Sequence, residues 1–413
     1  MKKLIDRNTM GPEELVVSQE VVESGNLSDF IGAWHEQKFF GGTRVQQFEQ
    51  DVCELFDIEH AVSVNSWTSG LIAMVAALGL EPGDEIITSP WTMSATAMAI
   101  LHNNCIPVFA DINPRTYNID PECVRKLINS KTKAVLAVDI FGLSADMAAL
   151  RAVCDEFGLF LLSDSAQAPG ARIGSQYAGT LADIGGFSLN YHKHIHCGEG
   201  GLLVTNDDKL SHRLKLIRNH GEAVIQSDDP FELANILGHN FRLGEIEAAI
   251  ARAQLEKLPV LVASRQHAAD RLRAGLEDLP GLQLPVVAEF STHVYYVFGM
   301  IIDPERVGRP RSWIVDALRA EGVTALFAGY QCIHLNPIFR NRIAYGTKSF
   351  PWKGLASGDS TVTYELGLCP VAEDLHHRTF IGLNLCAHSY TESEIDQVVA
   401  AFHKVWAHLE LDA

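Results

Sequence analysis

Ala61-Val62-Ser63-Val64-Asn65-Ser66-Trp67-Thr68-Ser69-Gly70-Leu71-Ile72-Ala73-Met74-Val75-Ala76-Ala77-Leu78 reads as a strand, a small polar turn and an apolar helix. The first four residues are short and half of them β-branched, in keeping with a buried strand. The last eight are apolar all round, as in a helix packed on a sheet. In the turn between them, free backbone N–H groups and hydroxyls converge at a helix N-terminus, which makes an anion site. Ordinary capping of the helix by Thr68 or Ser69 accounts for the same residues, and both readings stand at this point.

The same alternation continues downstream. Glu85-Ile86-Ile87-Thr88 is a strand followed by Ser89-Pro90-Trp91-Thr92, with a helix over Ala95–His102. Pro107–Asp111 and Ala134–Val138 are strands, and Pro121–Ile128 and Ala145–Glu156 are helices. Leu159-Phe160-Leu161-Leu162-Ser163-Asp164 is a strand ending on a carboxylate. Repeated βα units with continuous apolar strands predict an α/β fold: a mostly parallel sheet with helices on both faces. Ligands of such folds sit at the carboxyl ends of the strands. Thr68, Trp91 and Asp164 each fall there in their own unit.

Upstream, the spacing predicts helices over Pro12–Ser24 and Thr43–Phe56. Beyond the alternating region, a strand over Gly200–Thr205 and a helix over Asp208–Asn219 lead to a polar loop, 221–235. A long helical pattern runs from Ile246 to about Glu277, with a break expected at Pro259. Strands over Val294–Ile302 and near Val323–Phe327 alternate with helices at Arg311–Glu321 and Glu392–Leu409. The predicted division is an N-terminal arm, 1–40, a large domain, 41–277, and a smaller α+β C-terminal domain, 278–413.

Composition bounds the function. The chain has 413 residues, 47% of them apolar and 20% charged, and no apolar run long enough to span a bilayer. Its formal net charge of −18 argues against non-specific nucleic-acid binding. Eight cysteines lie scattered, with no CxxC pair to suggest a disulfide frame or a zinc site, and a reducing cytoplasm is the expected compartment.

A second stretch carries the chemistry: Phe187-Ser188-Leu189-Asn190-Tyr191-His192-Lys193-His194-Ile195-His196-Cys197-Gly198-Glu199-Gly200-Gly201. A lysine held between a strand and a tight turn is a candidate nucleophile, because desolvation lowers its pKa. We read Lys193 as the residue that forms an imine with pyridoxal phosphate (PLP). That cofactor also needs a carboxylate at its pyridine nitrogen, a flat group against its ring and donors for its phosphate. Asp164 suits the first role and Trp91 the second. Thr68, Ser69 and Ser188 suit the third. Singly, a strand-end Asp is a turn residue and a Trp belongs to the core; the conjunction is what points to the cofactor.

At this point the sequence resembles the sugar aminotransferases of the DegT/DnrJ/EryC1/StrS family. The marks are Asn65-Ser66-Trp67-Thr68-Ser69-Gly70, Pro82-Gly83-Asp84-Glu85, Asp164-Ser165-Ala166-Gln167-Ala168, Gly185-Gly186-Phe187-Ser188, Lys193, Gly198-Glu199-Gly200-Gly201, Arg218-Asn219-His220-Gly221 and Asn240-Phe241-Arg242. The resemblance implies a fold type I, aspartate aminotransferase-like enzyme. Its donor would be L-glutamate, or sometimes L-glutamine, and its acceptor a keto-sugar, nucleotide-linked, on the way to surface polysaccharides or secondary metabolites. It further implies that Lys193 moves the proton, that Asp164 pairs with the pyridine nitrogen and that Gln167 meets the cofactor's phenolic oxygen. Trp91 would stack on the ring, and Asn240 would join the phosphate site of the other subunit in a homodimer with shared active sites. Arg242 would meet the donor carboxylate or an anionic group of the sugar.

Three departures stand out: Trp67 where the family usually has Gly, Pro169 where it often has His, and His192, His194 and His196 around the lysine. On a strand these histidines would share a face, but no metalloprotease-type carboxylate motif accompanies them, and no metal is expected. Two basic clusters stand against the acidic background: Arg306, Arg309 and Arg311, and then Arg340, Arg342, Lys348 and Lys353. The second follows Tyr330-Gln331-Cys332-Ile333-His334, where relatives place a loop near the active site, so His334, Arg340 and Arg342 are candidate substrate contacts. Rival readings are a PLP-dependent sugar dehydratase, in which histidine replaces the lysine, and a non-catalytic regulatory protein on the same fold.

Overall fold

The computed structural model describes residues 8–35, 37–221, 236–288, 290–356 and 358–409. In chain order α1 (Pro12–Ser24) and α2 (Thr43–Phe56) precede β1 (His60–Val64), α3 (Trp67–Ala77), β2 (Glu85–Thr88), α4 (Ala95–His102) and β3 (Ile106–Phe109). Then follow α5 (Pro121–Leu127), β4 (Thr132–Val138), α6 (Met147–Phe157), β5 (Phe160–Asp164) and the short pair β6 (Arg172–Ile173) and β7 (Gln176–Tyr177). The region closes with β8 (Ile184–Ser188), β9 (Gly201–Thr205) and α7 (Asp208–Arg218). The predicted polar loop lies, beyond Gly221, outside the described residues.

Seven of these strands form one sheet in the order β1-β9-β8-β5-β4-β2-β3. The β3-β2-β4-β5-β8 ladder is parallel, and β9 runs against both β8 and β1. Alternate residues serve opposite faces: Ala134, Leu136 and Leu162 pack with α3, α4 and α7, whereas Val135, Ala137 and Leu161 pack with α6. Burial on both faces is why these strands read as unbroken apolar runs.

The long helix α8 (Glu245–Leu276) follows, and it is continuous through Pro259. The predicted break does not occur. Pro259 stands on an exposed face while Leu258 and Val262 on either side of it are buried, so packing holds the helix across the missing hydrogen bond. On its N-terminal side α1 is tied to α8, with Gln254 accepting from Thr9 at 2.7 Å and Lys257 pairing with Glu14 at 2.7 Å.

A second, antiparallel sheet has the order β10-β11-β13-β12, from β10 (Leu282–Gln283), β11 (Phe298–Ile302), β12 (Leu326–Ala328) and β13 (Phe380–Leu383). It is accompanied by α9 (Pro304–Val307), α10 (Arg311–Ala320), α11 (Pro337–Arg340), α12 (Pro370–Asp374) and α13 (Glu392–Trp406). Its core joins α8, α10 and α13. Residues 333–372, between β12 and β13, pack instead on the first sheet: Phe339, Trp352 and Tyr364 share a cluster with Ile106 and Phe109 of β3. No described helix is long and apolar enough to cross a membrane.

Candidate active site

β1, β5 and β8 point the same way, so their carboxyl ends at Val64, Asp164 and Ser188 meet at one edge of the sheet. The N-terminus of α3 arrives at that edge, as does the loop 189–200 that carries Lys193. Between them lies a cavity of about 160 Å3 whose walls include Thr68, Thr96, Asp164, Gln167, Ser188 and Lys193.

The loop after β8 is held by its own backbone. Lys193 N–H donates to Asn190 O at 2.9 Å, Tyr191 N–H to Gly198 O at 2.9 Å, and Cys197 N–H to Leu189 O at 3.1 Å. Asn190 Nδ2 also donates to Glu199 Oε1 at 2.8 Å. Lys193 is therefore fixed, and it is 7% exposed. Burial pushes its amine down from 10.5 to about 8, with the nearby Asp164 carboxylate pulling in the opposite sense. Its Nζ lies 4.5 Å from the centre of the Tyr296 ring.

Asp164, 5% exposed, is oriented by three donors. Trp67 Nε1 donates to Oδ1 at 2.7 Å, Ala166 N–H to the same oxygen at 3.3 Å, and Thr96 Oγ1 to Oδ2 at 2.8 Å. Gln167 is pinned as well. Its Oε1 accepts from Phe141 N–H at 2.9 Å and its Nε2 contacts the Tyr330 hydroxyl at 3.3 Å, which leaves a second amide hydrogen for a ligand oxygen.

This donor set fits PLP. A neutralisable amine, an oriented carboxylate, an amide donor and a helix N-terminus bordered by Thr68 and Ser188 surround one cavity, and each answers a different part of that cofactor. The capping expectation is revised, because the N-cap of α3 is Ser66, which accepts from Ser69 N–H at 3.1 Å. Ser69 turns its hydroxyl to Ser66 Oγ at 2.9 Å, while Thr68 is exposed and lines the cavity.

Several expected site residues stand elsewhere. Trp91 is fully buried in an aromatic cluster with Phe141, Tyr330 and Phe380, so the core has claimed its ring and it presents no face to the cavity. Met93, 54% exposed, lines the cavity in its stead. His334 is completely buried and donates through Nε2 to Glu373 Oε1 at 3.0 Å, which is a structural contact rather than a substrate contact. Arg340 is exposed outside the cavity, and Arg342 reaches Ser360 O at 3.5 Å. Arg311 of the first basic cluster donates to the carbonyls of Leu375, His376, His377 and Phe380, again a structural duty.

Arg242 Nε donates to Asn219 Oδ1 at 2.7 Å, and Asn240 is exposed, its backbone bridged to Asn219; neither lines the cavity within this chain. The three histidines do not share a face, since residues 189–200 form a loop. His192 borders the cavity, whereas His194 is buried with Nε2 2.8 Å from Val294 O.

Sequence reasoning misses Thr96 and Met93, and it gives Asn190 and Glu199, within stretches it does mark, no role of their own. The i,i+4 pair Thr92 and Thr96, whose hydroxyls lie 3.0 Å apart, is a signal that was available, one turn beyond the end of β2.

A model of the DegT/DnrJ/EryC1/StrS aminotransferase family matches residues 23–354. The spore coat polysaccharide biosynthesis protein SpsC of Bacillus subtilis is 32% identical over 348 residues, 83% of this chain and 86% of that protein. The dTDP-3-amino-3,4,6-trideoxy-alpha-D-glucose transaminase of Micromonospora megalomicea is 34% identical over 329 residues, 79% of this chain and 82% of that protein. Among solved structures, Helicobacter pylori PseC, an aminotransferase of pseudoaminic acid biosynthesis, superimposes with a TM-score of 0.79 at 27% identity, covering 98% of this chain and all of that one.

Proposed function

The chain belongs to the DegT/DnrJ/EryC1/StrS aminotransferase family, and from that premise we propose that it moves an amino group from an amino acid, L-glutamate by preference, to a nucleotide-linked keto-sugar. The observation that carries this reading is the buried Lys193 amine, pushed down to about 8 and lining the same cavity as Asp164. PLP, when bound there, supplies a cationic ring that accepts the electron pair released as a C–H bond breaks.

The chain's own residues do the rest. Asp164 presents a carboxylate, its oxygens fixed by Trp67 and Thr96, to the pyridine nitrogen. The first amides of α3, with Thr68 and Ser188, receive the phosphate. Gln167 donates to the phenolic oxygen. Lys193 would hold the cofactor through its amine and, as the base of the site, would move the proton from the donor's Cα, with the reverse transfer serving the sugar. The place against the ring expected of Trp91 falls instead to Met93, whose thioether chain, not a flat group, lines the cavity.

We further propose a cytoplasmic homodimer in which Asn240 and Arg242 serve the partner's site. The exposure of Asn240 and eight free cysteines support it. A single-chain mass in solution would remove the shared-site part.

The retained lysine weighs against the dehydratase reading, and the full cofactor set against a non-catalytic one. The test is Lys193→Ala. The purified protein is expected to lose its visible imine absorbance and more than 10^3-fold of glutamate-dependent turnover, on the order of what removing a catalytic nucleophile costs. Turnover near the wild-type rate in that variant overturns the assignment.

A further inference from the structure

We propose that Trp67 is a positioning residue for Asp164, aiming the carboxylate at the cofactor's pyridine nitrogen; the inference rests on the PLP reading above. The indole Nε1 lies 2.7 Å from Asp164 Oδ1, and both residues are buried, 7% and 5% exposed. Thr96 Oγ1 holds the other oxygen at 2.8 Å and is itself in contact with Thr92 Oγ1 at 3.0 Å. Two side-chain donors from two different helices thus fix both carboxylate oxygens, α3 supplying the indole and α4 the hydroxyl. A carboxylate held only by its own χ angles would rotate, and misplacement by an ångström at a reacting group is costly.

The seat of the indole is built for it. A Cβ at Gly186 of β8 would collide with the Trp67 ring, and one at Gly70, a turn further along α3, would press on the same ring. The ring therefore occupies space that two glycines leave open, and its only polar atom is spent on Asp164. A phenyl ring would fill only part of this seat and carries no donor for Asp164. The hydrogen bond is what singles out tryptophan.

The position also couples two parts of the cofactor site. Trp67 is the first residue of α3, directly after the N-cap Ser66 and before Thr68. Its backbone thus lies in the turn that receives the phosphate, while its side chain reaches the group that receives the ring nitrogen. Binding at one end is thereby tied to alignment at the other.

The variant is Trp67→Phe, which keeps an aromatic ring in the seat and removes the N–H together with the rest of the five-membered ring, so the readouts must separate the lost donor from the lost volume. Loss of a hydrogen bond to a buried charged group is expected to weaken PLP about tenfold, read as the dissociation constant from absorbance titration of the apoprotein. The pH midpoint of the imine absorbance band should move as well, and kcat should fall with little change in the KM for glutamate. A purely structural role would lower the apoprotein's melting temperature and leave that midpoint where it is.

Wild-type protein that binds no PLP overturns the underlying reading. Wild-type protein that binds it, beside a Trp67→Phe variant of equal affinity and unmoved midpoint, overturns this inference alone. If Trp67→Phe does not fold, the indole N–H signal of 15N-tryptophan-labelled wild type decides. The inference expects one such signal to shift on adding PLP and also in Asp164→Asn; no signal responding to both overturns it.

Discussion

A lysine that is to attack a carbonyl must shed its proton near neutral pH, and an ordinary lysine does so rarely. With its amine pushed down to about 8, Lys193 is in the neutral form roughly 300-fold more often at pH 7 than a lysine at its ordinary value. Enclosure produces that effect, and enclosure also has a thermodynamic consequence. The unfolded chain keeps a lysine near 10.5, so between about 8 and 10.5 the unfolded state binds the extra proton and stability rises with pH. Below about 8 both states are protonated, and the apoprotein carries the full cost of a buried ammonium, about 3 kcal/mol as an upper figure. Lys193→Met keeps the shape and removes the charge. Its apoprotein is expected to be more stable than wild type at pH 7 in urea titration, with the gap closing as pH rises toward 10.5. A gap independent of pH would mean that the amine is not buried in the apoprotein.

The residue scale is also where position along the chain tells most, and least, about which side chains meet at the cavity. Asp164, Gln167, Ser188 and Lys193 line one cavity because each sits at or just past the end of a strand, a position that apolar runs make legible. Trp91 occupies such a position too, yet it is turned into the aromatic cluster, and direction around a turn is not written in composition. Trp67 stands out in the sequence only as a departure from a family habit. Its bond to Asp164 joins residues 97 apart in the chain, and no local pattern reports such a contact.

At the scale of elements, the alternating region was legible nearly to its boundaries, and α1 and α2 were read with the limits they have. β13 escaped. Phe380-Ile381-Gly382-Leu383 is four residues with a glycine inside, and it becomes a strand only because β11 and β12 pair with it on both sides. The Arg218-Asn219-His220-Gly221 run was legible as a family mark but not as a purpose. The structure gives it one: Arg218 is fully buried, ion-paired to Glu49 of α2, and donates to Ser63 O of β1 at 3.1 Å and Phe40 O at 3.2 Å. Asn219 Nδ2 donates to Ile31 O at 2.9 Å and Phe39 O at 2.8 Å. The end of α7 therefore fastens the segment before α2 to the sheet edge beside α3. Arg218→Met strands the Glu49 carboxylate inside, and a loss of about 3–5 kcal/mol in denaturant unfolding is expected. The double variant Arg218→Met, Glu49→Leu should recover a good part of it; equal losses in the single and double variants would argue that the arginine acts through packing alone.

Across the whole molecule, the two sheets are joined by more than α8, because residues 333–372 leave the second sheet and return to the edge of the first. Their attachments cluster on two carboxylates. Asp111, just past β3, accepts from Val371 N–H at 2.8 Å and Ala372 N–H at 3.0 Å. Glu373 accepts from Gly367 N–H at 2.8 Å, from Cys369 N–H at 3.2 Å and from His334 Nε2 at 3.0 Å. Tyr345 and Tyr364 add bonds of 2.8 Å to Leu101 O and Pro107 O. The segment expected to hold substrate contacts thus begins and ends on a buried latch, His334 with Glu373. Burial alone would raise the Glu373 carboxyl, but the donors from His334, Gly367 and Cys369 outweigh it and hold the group below its ordinary 4.5. A carboxylate so depressed contributes stability above about 4.5 and loses it as pH falls through the folded value. Glu373→Gln should therefore cost about 2–3 kcal/mol at neutral pH, the scale of bonds to a charged acceptor, and progressively less as the pH falls below 4.5. Because the attachments lie within 333–372, the loss should surface first as faster proteolysis between Gly346 and Gly367, ahead of global unfolding. Cleavage there at the wild-type rate, with the whole chain melting as one, would show that the latch belongs to a single cooperative core rather than to a segment with its own local stability.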